Sequence, residues 1–210
     1  MLSSKKIYNP LSTDINELLI EEEIIKNYLI DSQVINNIDN DQIDFFDCYF
    51  KDIKFVNCSL QKCYFYNCIF ENCDLSSSNF YKSNFKNVEF LNSKLIGCNF
   101  ELSYIQSTTF NNCNANNICL DESNLSNTKF IETNLVFSSI SNVKQKSVIF
   151  DKCDLSQCNL SKTSLNNIDL SNCILESITI YAEDIKGCTL NEYQALDFIK
   201  LLGIKIKRIE

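Results

Sequence analysis

Four cysteines, Cys58, Cys63, Cys68 and Cys73, stand five residues apart, and thiolates are the usual ligands of structural zinc. Tetrahedral zinc would need all four sulfurs about 2.3 Å from one centre. The chain holds 12 cysteines in all. It has no histidine, which removes the commonest general base, and three glycines, none of them in a phosphate-cradling loop. Whether the thiols do chemistry or only fill space depends on the elements that position them.

Those elements are announced by a period of five. From 45 to 190 every fifth residue is Phe45, Phe50, Phe55, Leu60, Phe65, Phe70, Leu75, Phe80, Phe85, Phe90, Leu95 or Phe100, and so on to Leu190. Only Ala115 and Gln145 in that series are not large and apolar, and no residue is inserted or lost. Neither a helix (period 3.6) nor a strand (period 2) produces this pattern. The position two before each large residue is small or β-branched and holds 11 of the 12 cysteines, Cys119 being the exception. The other three positions are rich in Asn, Asp, Ser, Lys and Glu. Each pentad therefore has one large and one small inward residue and three outward ones.

This pattern resembles that of the pentapeptide-repeat proteins over residues 43–190. The resemblance implies an all-β solenoid, a right-handed quadrilateral β-helix, with one pentad per side and 20 residues per coil. Thirty pentads then make about 7.5 coils, a rod about 36 Å long at a strand spacing of roughly 4.8 Å. Cys58, Cys63, Cys68 and Cys73 would point inward from four sides of one coil, where Leu60, Phe65, Phe70 and Leu75 compete for the space. The expectation is that they fill corners as small buried groups, with no metal and no cofactor. Stacked pairs such as Cys48/Cys68 and Cys153/Cys173 fall within the ~4.4–6.8 Å span of a disulfide. A reducing cytosol would keep them as thiols.

Open coil edges need covering. Three segments result: an N-terminal segment 1–42 with a capping helix, the coil 43–190, and a C-terminal segment 191–210. In 14–30, Asp14 and Glu17 are spaced as a capping box and the apolar residues suit a short helix. Thr189 and Glu192 suggest a second box, opening a helix to about Leu202 that Gly203 ends, with a short strand at Ile204–Lys207. Tyr193, Ala195, Leu196, Ile199, Leu202 and Ile204 form the candidate dimer interface, since an apolar helix face beside a free strand edge favours a two-fold contact. A plain cap is the competing reading.

Charge narrows function. Asp+Glu 27 against Lys+Arg 19 gives a net charge of −8, which argues against direct nucleic-acid binding. No stretch reaches membrane-span length and no leader is visible, so a cytoplasmic protein is expected. Acidic residues sit on a convex rod with no concave site, so catalysis is not expected. The wall carrying Phe50, Phe70 and Phe90 is the most acidic: Asp52, Glu71, Glu89, Glu132, Asp151 and Asp169 face Lys51, Lys129 and Lys152, a net of −3. This is the candidate partner-binding stripe. About 36 Å of DNA duplex would carry roughly 21 charges, so the rod is at most a partial mimic of DNA.

The acidic segment 15–30, the unbroken coil, Cys113-Asn114-Ala115-Asn116 and the tail Gln194-Ala195-Leu196 … Leu201-Leu202-Gly203-Ile204 together resemble the Qnr-type quinolone-resistance proteins, in particular the chromosomal members of Gram-positive bacteria. That resemblance implies a homodimer joined at the C-terminal helices that binds DNA gyrase, with topoisomerase IV a further candidate, and lowers quinolone susceptibility. Gram-negative members carry loop insertions that break the repeat, and this chain has none. The other reading is a structural or adaptor rod that binds an unrelated regulator.

Overall fold

The computed structural model describes residues 8–39 and 42–205. Its geometry is set at one position per pentad. Two residues after nearly every large apolar one, the backbone turns a corner through the left-handed region. From Asn27 to Ser177, 29 non-glycine residues have φ between 48° and 76°, and Gly97 and Gly187 share the register. A side chain there costs about 1–2 kcal/mol, least for asparagine. Twelve of the 29 are asparagine, which is how so many tight corners are made with so little glycine.

Between corners run four walls. Wall 1 is a seven-stranded parallel sheet starting at Ile24–Lys26, continuing through Asp44–Phe46 and Tyr64–Tyr66, and ending at Lys144–Lys146. Wall 2 has eight strands, from Asn9–Pro10 and Tyr28–Asp31 to Ile149–Asp151. Walls 3 and 4 are tighter and pair mostly through single bridges, such as Asp74 to Lys94 and Asn79 to Asn99. Partners in the coil are 20 residues apart, as in Phe45 opposite Phe65, so four pentads complete a turn.

The large residues meet inside. Of the 30 from Phe45 to Leu190, 26 are buried; Gln145, Leu175, Ile185 and Leu190 are partly exposed. Phe50, Phe70, Phe90, Phe110, Phe130 and Phe150 stack with centroids 4.6 to 5.1 Å apart. The small inward residues also bond. Ser83 Oγ donates to Leu60 O (2.9 Å), Cys98 Sγ to Leu75 O (3.0 Å) and Thr163 Oγ1 to Ile140 O (2.7 Å). Each ties one turn to the turn before, which explains why serine, threonine and cysteine interchange at that position: all three are small donors.

Both ends differ from expectation. The coil begins well before 43, because Ile25, Ile30 and Ile35 already pair with Phe45, Phe50 and Phe55. Helix α1 is therefore only Ile15–Glu21; Asp14 caps it by accepting from Asn16 N, and residues 24–26 and 28–31 are strands. Ile15 and Leu19 seal the core from above. At the other end the capping box is Asn191 with Gln194, not Thr189 with Glu192, because Thr189 stays in the coil, bridging Asp169. Helix α2 spans Glu192–Phe198 and runs on as a 3-10 turn to Leu202, where Gly203 closes it at φ 72°. Ile204 and Lys205 form no strand, and 206–207 lie outside the described residues.

The ladder is also interrupted once. Strand pairing on walls 1 and 2 stops after Lys144–Lys146 and Ile149–Asp151, while walls 3 and 4 continue to Ile174 and Thr179. Below the break, walls 1 and 2 adopt the tighter form, with Leu165 N bonded to Asp184 O and Leu170 N to Thr189 O. An extended turn and a tight turn cannot share a full ladder, and a seam opens between them.

Candidate interaction surface

The thiols come first. Cys58, Cys68 and Cys73 are buried and donate to the carbonyls of three different register residues, Ile35, Phe45 and Phe50, each at 3.4 Å. Cys63 Sγ lies 3.5 Å from Gln61 O. Among the described residues no three Cys, Asp or Glu side chains are gathered so that they could hold a metal ion. All 12 cysteines are free thiols. Burial pushes Cys73, Cys98 and Cys158 up to about 12 and Cys113 to about 11, away from nucleophilic chemistry at neutral pH. Burial, then the neighbouring Cys48, raises Cys68; contact with Cys173, then burial, raises Cys153.

The acidic stripe does lie along wall 2, but its charges are engaged within the rod. Glu71 accepts from Tyr49 Oη; burial, then this bond, raises the tyrosine's pKa. Lys152 Nζ meets Glu132 at 3.0 Å, and Lys51 lies 3.9 Å from both Asp52 and Asp31. Asp151 accepts from Asn172 Nδ2 at 2.5 Å. Asp169 caps Ser171, whose hydroxyl and N–H lower its pKa. At the upper end Tyr8 places its ring edge-on to Tyr49, the partner of Glu71, with 5.5 Å between centroids.

Wall 1 carries something the charge count does not register. Its outward residues include Phe46, Tyr64, Tyr66 and Tyr104, with Phe46 5.7 Å from Tyr64 and 6.2 Å from Tyr66. Lys86 Nζ lies 5.7 Å from the Tyr66 centroid. Tyr104 is 58% exposed. Aromatic groups on a rigid sheet lose little entropy on binding and are the commonest anchors of protein interfaces. The signal was present in the sequence, since 46, 64, 66 and 104 all flank register positions and must face out.

At the C-terminal end, α2 divides its apolar residues. Phe198 is buried against the last coil, near Leu175, Ile178 and Ile180. Tyr193 (74% exposed), Leu196 (49%) and Ile204 (52%) face outward, and Ala195 and Ile199 are half-buried. The side chain of Leu202 lies outside the described set. The helix is thus a lid on the core that also presents an apolar outer strip. Among the described residues no helix is long and apolar enough to cross a membrane.

Residues 63–140 match the family described as Pentapeptide repeat region, and residues 43–80 and 146–176 match Pentapeptide repeats (8 copies). Similar solved structures include HetL, a pentapeptide repeat protein involved in heterocyst differentiation regulation from the cyanobacterium Nostoc sp. strain PCC 7120. It is 13% identical, with a TM-score of 0.46 over 86% of this chain and 98% of that one. Trypsin-treated QnrB1, a plasmid-mediated fluoroquinolone resistance protein, is 18% identical, with a TM-score of 0.38 over 88% of this chain and 100% of that one. No curated protein matches the chain.

Proposed function

The chain belongs to the pentapeptide-repeat proteins, and on that premise we propose that it is a non-catalytic, cytoplasmic binding rod whose partner is DNA gyrase, with topoisomerase IV a second target, so that it lowers quinolone susceptibility. The observation that carries the binding reading is the outward aromatic strip of wall 1, Phe46, Tyr64, Tyr66 and Tyr104, mounted on a close-packed core.

The choice of partner is supported by the sequence likeness of the Cys113–Asn116 segment and the Gln194–Ile204 tail. The internally bonded stripe makes the rod a partial DNA mimic, one of shape more than of charge. Two copies joined through Tyr193, Ala195, Leu196, Ile199, Leu202 and Ile204 would double its length. The test is a gyrase supercoiling assay with ciprofloxacin, together with expression in a quinolone-sensitive strain. Rescue of supercoiling and a raised inhibitory concentration are expected. Neither effect would leave the second reading, an adaptor for an unrelated regulator, which the bonded state of the acidic stripe favours.

A further inference from the structure

The seam on wall 1 opens a cleft of about 770 Å³ at Gln145, the one polar residue in the large apolar register. On this wall the register residue and the residue two past it donate their N–H groups to the next turn, as Leu165 N does to Asp184 O (2.7 Å) and Asn127 N to Lys146 O (2.9 Å). By that pattern Gln145 N and Ser147 N would donate to Ser164 O and Asn166 O. They do not. Gln145 Nε2 takes both carbonyls instead, at 3.0 and 3.4 Å. A side-chain amide has replaced two backbone donors, and the N–H groups of Gln145 and Ser147 make no hydrogen bond across the seam.

The walls of this cleft are basic. Lys144, Lys146 and Lys162 line it, with Ser164, Asn166 and Asn167, and no carboxylate is among its lining residues. The neighbouring acid, Asp184, accepts from the Lys162 N–H at 2.8 Å and is spoken for. On a chain of net charge −8, three lysines around released backbone donors is a local inversion of sign. Backbone N–H groups beside ammonium groups are the elements that bind oxyanions elsewhere.

We propose that this cleft binds a small oxyanion, a phosphate or a carboxylate, through the N–H groups of Gln145 and Ser147 and the ammonium groups of Lys144, Lys146 and Lys162. The site is on wall 1 near the C-terminal end and does not depend on which protein the rod binds. Its use would be to read a phosphoryl or acidic group on a ligand that approaches this wall.

The experiment is a titration of the full-length ¹⁵N-labelled protein with inorganic phosphate, and separately with glutarate, at ionic strength held constant with sodium chloride. Saturable shifts centred on the Gln145 and Ser147 amides are expected with at least one probe. Phosphate alone marks a phosphoryl site, and glutarate alone marks a carboxylate site. Replacing Lys144, Lys146 and Lys162 together by Gln should weaken that binding roughly tenfold, the combined effect of three exposed ion pairs. Lys94→Gln, on another wall, should leave it unchanged. All four positions are surface lysines, so each variant should fold, and retained far-ultraviolet circular dichroism verifies it. No saturable shift at 145 and 147 with either probe, or equal shifts at every surface lysine, overturns the proposal.

Discussion

Glycine should be better than alanine at the corners of this coil, the reverse of the ordinary order within a strand. Asn67 has φ 54°, and its Nδ2 donates to Asp47 Oδ1 at 3.0 Å while its Oδ1 accepts from Asn87 Nδ2 at 3.1 Å. Asn67→Ala removes two half-exposed side-chain bonds, about 0.5 kcal/mol each at the low end of the usual range. It also leaves a Cβ in the left-handed region without asparagine's tolerance, for about 1–2 kcal/mol more. The total is about 2–3 kcal/mol. Asn67→Gly loses the same bonds but not the steric term, and it adds about 0.5–1 kcal/mol of chain entropy. Glycine should therefore be more stable by about 0.5–1 kcal/mol. Asn112 is equivalent, at φ 52° with its Nδ2 2.8 Å from Asn92 Oδ1, on a different turn. Double variants at 67 and 112 should roughly double the gap. Urea unfolding followed by circular dichroism, at one protein concentration and with slopes compared, measures it. If the alanine pair is as stable as the glycine pair, the corners do not pay for their φ and the account of the turns is wrong.

Three further outcomes follow from the same geometry. Phe90→Ala loses a fully buried ring stacked on both sides, at 4.9 and 4.8 Å, and should cost about 4–6 kcal/mol; Phe150→Ala, which stacks on Phe130 alone at the seam, should cost about 1–2 kcal/mol less, as urea midpoints will show. Thiol ionisation should make the fold alkali-sensitive: Cys73, Cys98, Cys113 and Cys158 stay protonated in the fold to about 11 or 12 but ionise in the unfolded chain near 9. The unfolded state thus binds fewer protons above pH 9, so stability present below that pH falls by roughly 1.4 kcal/mol per unit per thiol as the pH rises, and urea unfolding at pH 8 and 10 will reveal it. If the proposed dimer forms through α2, replacing Tyr193 and Leu196 by Asp should turn it into monomers in sedimentation without loss of the coil, because both side chains face away from the core.

The walls, the core and the corner-filling role of the thiols were legible because a period of five belongs to one architecture and nothing breaks it between 43 and 190. The start of the coil was hidden by two coincidences. Register position 40 is asparagine, and the isoleucines at 20, 24 and 25 also suit a helix face, so Ile25 and Ile30 fall within the expected capping helix of 14–30 and Ile35 in the N-terminal segment beyond it. The acidic stripe was legible as positions but not as chemistry, because whether Glu71 meets Tyr49 or Glu132 meets Lys152 depends on side chains 20 to 22 residues apart. The aromatic strip follows from the same register, which places 46, 64, 66 and 104 outside, but a count of outward charges does not register neutral rings. Gln145 stands out in the sequence, but that its amide substitutes for two backbone donors is decided only in the folded chain.

These points bear on how the rod would recognise a DNA-handling partner, and salt dependence separates the two possibilities. A protein that neutralises 6–10 phosphates on DNA loses about 10³–10⁵ in affinity between 50 and 200 mM salt. A rod that copied DNA's charge would impose a similar slope. Here the stripe has a net of −3, and its Glu132 and Asp52 already face Lys152 and Lys51. Three uncompensated charges, treated as generously as DNA phosphates, give a loss of only about 40-fold over that range. Contact through Phe46, Tyr64, Tyr66 and Tyr104 would add affinity that salt does not screen. Binding to gyrase measured at 50 and 200 mM potassium chloride should therefore fall by less than about 40-fold, and Tyr66→Ala should weaken it at both concentrations alike. A drop of about 10³ or more, with Tyr66→Ala silent, would return the recognition to the acidic wall.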